Sequence, residues 1–588
     1  MIRPVFARFR SPSPQLLLFS AALPAFVGLA ACAAAQEPVV DGASVTRPVE
    51  SRPLLSGGAV ERAANGARLI VLVVVDQMSA EVYAGARPYF GPDGFARLER
   101  EGASFPLCAF EHACTETAPG HATIATGAPP SVHGIVANDW PDPRTGEAVN
   151  SVYGKDVPAL GPPLGAKTKG ARLTQLRAPT FGDALKAAAG PQAKSAGFSL
   201  KARSSLLSTG RSADVAAWLD YETGWWTSSP DHGDALPGFL AEFNARDAVS
   251  LLFDGEWIRE GPDAAYALLG DDASPFERGL DGRSAFPHRL RGPDGSTRER
   301  SAETALSSPE GNRLVLEAAY AGMRALELGR DDVPDFLFVG FSANDLIGHQ
   351  FGPWSHEVRA GMLAADRQLA EFMRKLDADV GRGRWMMAVT ADHGVGPIPE
   401  AAVKAGLPAG RIDARKVRAA AESALVGAFG DPGPRTYVKT AWGYHCLFDR
   451  EWLAERRIDS AVAATIAAAA IESVPGIARA VPTAELLQRG ARDGLEAAVL
   501  KNAPPDRIAD LWVLPKPYHL FSLNAASHGT PYAYDRRVPL LLFGPGIKAG
   551  FVGRGAASPG AAVTTLAAAI GISGPAMAEA PALTEALQ

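Results

Sequence analysis

Six side chains in this 588-residue sequence have the chemistry of metal ligands, and they are scattered from Asp76 to His528. Asp76 closes the apolar run "RLIVLVVVDQ". Asp345 follows "FLFVGFS", with His349 four residues later. Asp392 and His393 close "WMMAVT", and His528 follows "DLWVLPKPYHLFSLNAAS". Singly, each has a plainer reading. An Asp after a strand caps a turn, and an Asp and His four apart share a face of any amphipathic helix. Together they resist that explanation, because several carboxylates at one edge of a sheet are costly to bury without cations. A mixed carboxylate and imidazole set suits Zn2+ among the divalent ions. "SPDHGD" supplies an internal control: Asp231 and His232 follow no obvious hydrophobic strand and are set aside. His356, His445 and His519 are read as surface or packing histidines.

A nucleophile is available in "CTETAPGHATIATG". Residues 117–126 can begin a helix, with Thr117 near its N-cap and Pro119 in the first turn. A capping hydroxyl is the plain reading of Thr117. A helix N-terminus also offers amides and a positive dipole end to an anion. Metal ligation lowers the pKa of bound water from 15.7 to roughly 7, and a hydroxyl ligated there becomes a usable nucleophile by the same effect.

The elements that must position these groups are strands. "RLIVLVVVDQ", "FLFVGFSAND", "RWMMAVTADHG" and "RRVPLLLFGPG" each pair a hydrophobic run with small or polar residues, as strands buried on both faces do. "HEVRAGMLAADRQLAEFMRKLDADVG" reads as an amphipathic helix ending near Gly381. Alternating strands and helices predict an α/β sheet covered on both faces, and ligands of such sheets bind beyond the carboxyl ends of the strands. Residues of about 140–330, rich in Trp, Gly, Pro and Asp, read as an inserted lobe. Residues of about 400–510, with the helical "IDSAVAATIAAAAIES", read as a second insertion. Both fall within a catalytic domain expected over 67–575, followed by a tail over 576–588.

Composition bounds the rest. Hydrophobic residues make up 47% and charged residues 21%, an ordinary globular balance, and the formal charge of −6 argues against a general nucleic-acid or anionic-membrane binder. The arginine-rich start and the apolar "QLLLFSAALPAFVGLA" predict an export signal over 1–36, too short for a good membrane span. Two exits fit: "LAAC", with Cys32 lipidated, and "AAAQ", ending at Gln36. A Pro, Gly, Ser and Arg-rich tether over 37–66 follows. The expected location is the periplasm or, through Cys32, the outer membrane. Cys108 and Cys114 are close enough to bridge in an oxidising compartment, and two buried thiols fit equally well.

The motifs "VVVDQ", "TAPGHATIATG", "HGIVANDW", "FSLKARSS", "FSANDLIGHQFGP", "TADHG" and "SHGTPYAYDRRVPLLLFGPG" occur in the order found in the alkaline phosphatase superfamily. The chain resembles its PafA-like bacterial alkaline phosphatases, relatives of the nucleotide pyrophosphatase/phosphodiesterases. The resemblance implies an alkaline-phosphatase-like central β-sheet flanked by helices on both faces, with inserted lobes, and two Zn2+ per chain. One ion would be held by Asp345, His349 and His528, the other by Asp76, Asp392, His393 and the Thr117 oxygen. Thr117 would attack phosphorus through a phosphothreonine intermediate. Asn138, Lys201 and Arg203 would bind the substrate's oxygens. Thr117 followed by His121, in place of Cys or Ser before Pro-x-Arg, sets the chain apart from sulfatases.

Lys201 and Arg203 alternate, which on an extended segment puts both on one side. A solvated basic pair is the plain alternative. A planar guanidinium fork and a lysine point charge suit the extra charged oxygens of a phosphate monoester dianion. PafA-like monoesterases carry this Lys-x-Arg, whereas diesterase relatives commonly lack it. The expected activity is therefore hydrolysis of small phosphate monoesters by a monomer without a nucleic-acid partner. A phosphodiesterase/nucleotide pyrophosphatase is the nearest alternative, followed by a phosphonate hydrolase and a non-catalytic binding lipoprotein.

Overall fold

A computed structural model describes residues 62–162, 168–295 and 301–588. The predicted export signal, Cys32 and residues 37–61 of the predicted tether lie outside the described residues. Residues 62–66 of that tether are packed rather than free: Ala63 is buried, and Asn65 Nδ2 donates to the Pro545 carbonyl at 2.8 Å. Among the described residues no helix is long and apolar enough to cross a membrane.

The run Leu69–Val75 forms a fully buried strand at the centre of a nine-stranded sheet. Its β-branched residues suit a surface packed on both faces. Strand Asp335–Phe341 pairs with it in parallel on one side and strand Trp385–Thr390 on the other. Strands Ser195–Ser199 and Val215–Asp220 continue the parallel set beyond Asp335–Phe341. Leu540–Phe543 runs antiparallel to Trp385–Thr390, and Trp225–Ser228 antiparallel to Val215–Asp220. Full burial of each Val, Leu or Ile is worth about 1.5–3 kcal/mol, so this core can carry a costly polar site at its edge.

Two boundaries differ from the sequence reading. Residues 195–228, placed in the first inserted lobe, supply three strands of the main sheet. "SAGFS" and "VAAWLD" are short and built from small residues, so they lack the β-branched run that marks the other core strands. The predicted tail is also docked: Leu583 and Ala586 are buried, and the Gln588 amide donates to the Gly546 carbonyl. Within the region read as a second insertion lie a separate sheet and apolar core. An antiparallel sheet of Val438–Trp442, His445–Phe448, Leu511–Pro515 and Ile477–Pro482 runs slightly past residue 510. Helices Ala414–Phe429 and Ser460–Glu472 contribute to a separate apolar core there.

Helix Thr117–Thr126 is buried throughout and crosses the loop that follows strand Trp385–Thr390. A Cβ on Gly120 would lie 2.1 Å from the Asp392 carbonyl oxygen, so this crossing admits only glycine. Gly120→Ala should lower stability by about 1–3 kcal/mol through overpacking, read as a lower urea midpoint with an unchanged slope. A wild-type midpoint would show that the helix has room to move.

Candidate active site

The carboxyl ends of the central parallel strands meet at one place. Asp76 follows Val75, Lys201 follows the strand ending at Ser199, Asp345 lies in the first turn of helix Ala343–Phe351, and Asp392 and His393 follow Thr390. Thr117, the three aspartates, His393 and Lys201 are all buried.

Thr117 is not the cap of its helix. Glu116 occupies that position without a side-chain capping bond. The Ala118 amide is taken instead by Asn138 Oδ1 at 2.8 Å, and Glu116 Oε2 accepts the Asn138 amide at 2.7 Å. With Oδ1 used this way, the Asn138 NH2 remains as a pair of donors. The Thr117 hydroxyl lies 3.4 Å from His393 Nε2 and 3.5 Å from Lys201 Nζ.

The predicted ligands gather around it. Asp345 Oδ1 lies 3.3 Å from His349 Nε2 and 3.5 Å from His528 Nε2. His393 Nε2 lies 3.4 Å from Asp76 Oδ1 and 3.3 Å from Asp392 Oδ2. Two three-residue groups bring their ligand atoms within 4.8 Å of one another: Asp76, Asp392 and His393, and Asp345, His393 and His528. His393 therefore stands between the two sets, its ring stacked on that of His528 with centroids 3.5 Å apart. His349 reaches the second set through Asp345.

The imidazoles are oriented by backbone carbonyls. Nδ1 of His349 faces the Ala526 carbonyl at 2.9 Å, that of His393 the Gly394 carbonyl at 2.9 Å, and that of His528 the Thr115 carbonyl at 3.0 Å. A carbonyl only accepts, so each Nδ1 carries a proton and each Nε2 is turned to carboxylate oxygens. Burial pushes His393 down to about 3, with the neighbouring His528 adding to the effect, and it lowers His349 as well. For His528 burial is outweighed by Asp345, and its pKa is raised. Lone pairs facing carboxylates across 3.3–3.4 Å call for a cation between them. Among the described residues, buried Asp76 Oδ1 has no hydrogen-bond donor, and Asp392 Oδ2 has only the His121 Nδ1 at 3.2 Å, which is shared with the Thr117 carbonyl. The donor set and these two oxygens fit divalent metal ions.

The cation that the structure does supply is Lys201, whose Nζ lies 2.6 Å from Asp76 Oδ2 and 2.6 Å from Asp345 Oδ2. Burial opposes its charge, yet Asp345 and Asp76 hold its pKa above the usual lysine range. Asp76 is itself raised, by burial and then by the neighbouring Asp392. Lys201 does not share an extended segment with Arg203. It caps helix Ala202–Thr209, and Arg203 sits one residue inside it, because the strand before them ends at Ser199. Arg203 Nε is buried without a hydrogen-bond partner among the described residues.

Sequence reasoning missed three groups that fix the site. His121 Nδ1 lies 2.9 Å from the Thr117 carbonyl and 3.2 Å from Asp392 Oδ2; its spacing of four from Thr117 on one helix was the available signal. Gln77 contacts Asp345 and Asp392, directly after a ligand candidate in sequence. Asp535 takes the Thr530 amide and hydroxyl at 2.8 and 2.6 Å, holding the loop that carries His528. The exclusion of Asp231 and His232 stands for a different reason than the one first given. Strand Trp225–Ser228 does precede them, but Asp231 pairs with Arg172 and His232 Nε2 faces the Gly210 carbonyl. His356 and His445 are buried packing residues, and Cys108, Cys114 and Cys446 are buried free thiols.

The family of type I phosphodiesterases / nucleotide pyrophosphatases matches residues 70–530. Alkaline phosphatase PhoV of Synechococcus elongatus is 29% identical over 82% of this chain and 86% of its own length. Alkaline phosphatase PafA of Elizabethkingia meningoseptica is 28% identical over 82% of this chain and 88% of its own. The crystal structure of wild-type PafA superposes with a TM-score of 0.82, covering 90% of this chain and all of that one at 28% identity. With that span of sequence and fold matched, the chain belongs to the type I phosphodiesterase / nucleotide pyrophosphatase family and is a phosphatase of the PafA-like alkaline phosphatase kind.

Proposed function

We propose that the protein is an exported phosphomonoesterase that uses Thr117 as nucleophile, passes through a phosphothreonine, and works at two Zn2+ ions. The observation that carries this reading is the Thr117 hydroxyl, relieved of capping and held beside His393 Nε2 and Lys201 Nζ at the meeting point of three buried aspartates. Asp345, His349 and His528 would hold one ion, and Asp76, Asp392, His393 and Thr117 the other. Ions held there would supply Lewis-acid charge that lowers the pKa of the hydroxyl and offsets the charge on the departing oxygen. Thr117 Oγ forms a bond to phosphorus as the ester oxygen leaves in line with it. Water then cleaves the phosphothreonine from the opposite side, so configuration at phosphorus is retained overall.

The chain's own donors hold the phosphoryl oxygens. Lys201 spends two of its three N–H donors on Asp76 and Asp345, and the third is directed at Thr117 Oγ across a long 3.5 Å. Asn138 offers its NH2, and Arg203 a guanidinium with an unpartnered Nε. These charges are oriented before the reaction begins, so little reorganisation accompanies the transition state. A known PafA structure carries substitutions at one threonine, one asparagine, one lysine and one arginine, the same residue types as this set. The family's description favours diesterase activity as a second reading, and Lys201 with Arg203 favours the monoester.

Thr117→Ala should reduce turnover of an aryl phosphate monoester by about three orders of magnitude or more, with metal content by emission spectroscopy still near two ions per chain. Normal turnover would remove Thr117 from the mechanism. Arg203→Ala, which disturbs no carboxylate bond, should cost about 10–100-fold in kcat/KM on the monoester, the scale of one charged hydrogen bond. A matched diester should lose far less, and adding Lys201→Ala should widen the gap. Equal losses on both substrates would favour the diesterase. The third expectation concerns the metal-free protein. In excess chelator, Asp76→Asn should unfold at a higher temperature than wild type, by about 1 °C per kcal/mol of relieved repulsion for a chain of this size. A lower unfolding temperature would mean that the carboxylates are balanced without ions.

A further inference from the structure

Gln77 occupies a backbone conformation that a glycine would take more easily, with φ of 67°. It lies in the tight turn that leaves strand Leu69–Val75, directly after Asp76, and it is buried. From this turn its two ends reach opposite sides of the site. The backbone N–H donates to Asp392 Oδ1 at 3.2 Å, and side-chain Nε2 donates to Asp345 Oδ1 at 2.6 Å. A carboxylate only accepts, so the amide must turn its nitrogen to Asp345. Asp345 Oδ1 is the same oxygen that approaches His349 and His528.

The seat of that amide is built into the neighbouring helix. A Cβ on Gly348 would stand 1.7 Å from Gln77 Oε1, and the three atoms nearest to it all belong to the Gln77 side chain. Gly348 lies between Asp345 and His349 in helix Ala343–Phe351, which does not call for a glycine at that position. A residue with a side chain thus stands where the backbone prefers none, and a residue without one stands where the helix prefers one. Both departures are explained by one hydrogen bond.

We propose that Gln77 is a positioning residue that ties the two ligand sets together, Asp345 through its side chain and Asp392 through its backbone, and thereby sets the affinity for divalent cations. The amide does this without adding a fourth negative charge. The proposal rests on the metal reading above. Donors that orient a ligating carboxylate are worth about 10–100-fold in metal affinity.

The test uses the full chain, stripped with chelator and titrated with Zn2+ against a competing chromophoric chelator. Gln77→Gly removes the amide and suits the turn; Gly348→Ala leaves Gln77 in place and displaces it. Each should bind Zn2+ about 10–100-fold more weakly, and the double variant no more weakly than the poorer single, since both act on one contact. The metal-free variants should unfold only a few degrees below wild type, the cost of one donor lost from buried Asp345, so that the weaker binding is not explained by unfolding. Gln77→Met, which keeps roughly the side chain's length and removes the donor without adding charge, carries the same expectation should the glycine variant fail to fold. Wild-type affinity in these variants, or lowered metal-free stability with affinity retained, would overturn the proposal. A wild-type chain that takes up no Zn2+ would overturn the metal reading beneath it as well.

Discussion

Three aspartates with almost no exposed surface meet beside one lysine ammonium that bonds only Asp76 and Asp345, and the rest of the site is arranged around that imbalance. Each buried ion carries a penalty of several kcal/mol that only good partners offset. Asp345 has the fuller set: Lys201 at 2.6 Å and Gln77 at 2.6 Å. Among the described residues Asp76 keeps one oxygen with no donor, and Asp392 Oδ2 has only a His121 N–H that it shares with the Thr117 carbonyl. Folded domains are stable by only about 5–15 kcal/mol, so a cluster of this kind persists because the central sheet is large and apolar. It is also why cations belong here. A phosphate dianion brought to uncompensated carboxylates would add to the repulsion, whereas divalent ions reverse its sign.

The cluster is held by backbone more than by other side chains. Three imidazoles are aimed by carbonyls of residues 115, 394 and 526. Ala526 lies in the loop of His528, and its carbonyl fixes His349, so the second ligand set is assembled by one loop leaning on one helix. Gly394, directly after His393, donates its amide to the Asp535 carbonyl, while the Asp535 carboxylate holds Thr530. The loops bearing His393 and His528 are therefore stapled together through a residue that touches no reacting atom. Backbone partners cannot rotate away as side chains can, and this suits groups that must hold their geometry closely.

How much of this could be read from the chain follows from the reach of each signal. Asp76, Asp345 and Asp392 were legible because long apolar runs mark the strand ends they follow. The apolar strand before His528, Leu511–Pro515, ends well short of it, so a long loop separates the signal from the residue and the ordered series of motifs was needed beside it. The strands Ser195–Ser199 and Trp225–Ser228 were hidden, since short strands of small or aromatic residues resemble the loops of a lobe. That error carried over to Lys201 and Arg203, which start a helix rather than alternate along a strand. Gln77 was beyond reach, because its role depends on a positive φ and on the absence of a side chain at Gly348, far off in sequence.

The start of helix Thr117–Thr126 shows what the fold gives up for a free hydroxyl. A Ser, Thr, Asp or Asn cap is worth about 1 kcal/mol relative to alanine, and Thr117 stands one position too late to act as one. Glu116, at the cap position, directs its carboxylate to the Asn138 amide instead. Asn138 then returns the missing acceptor to the Ala118 amide, and Pro119 removes the next donor that would need one. The helix end is thus satisfied from outside, by a residue whose NH2 remains turned to other use. Capping by Thr117 itself would have engaged the oxygen that instead lies beside His393 Nε2 and Lys201 Nζ. The lost cap and the hydroxyl turned toward His393 and Lys201 are one feature of the sequence, fixed by the placement of Glu116 before Thr117 and of Asn138 beside it.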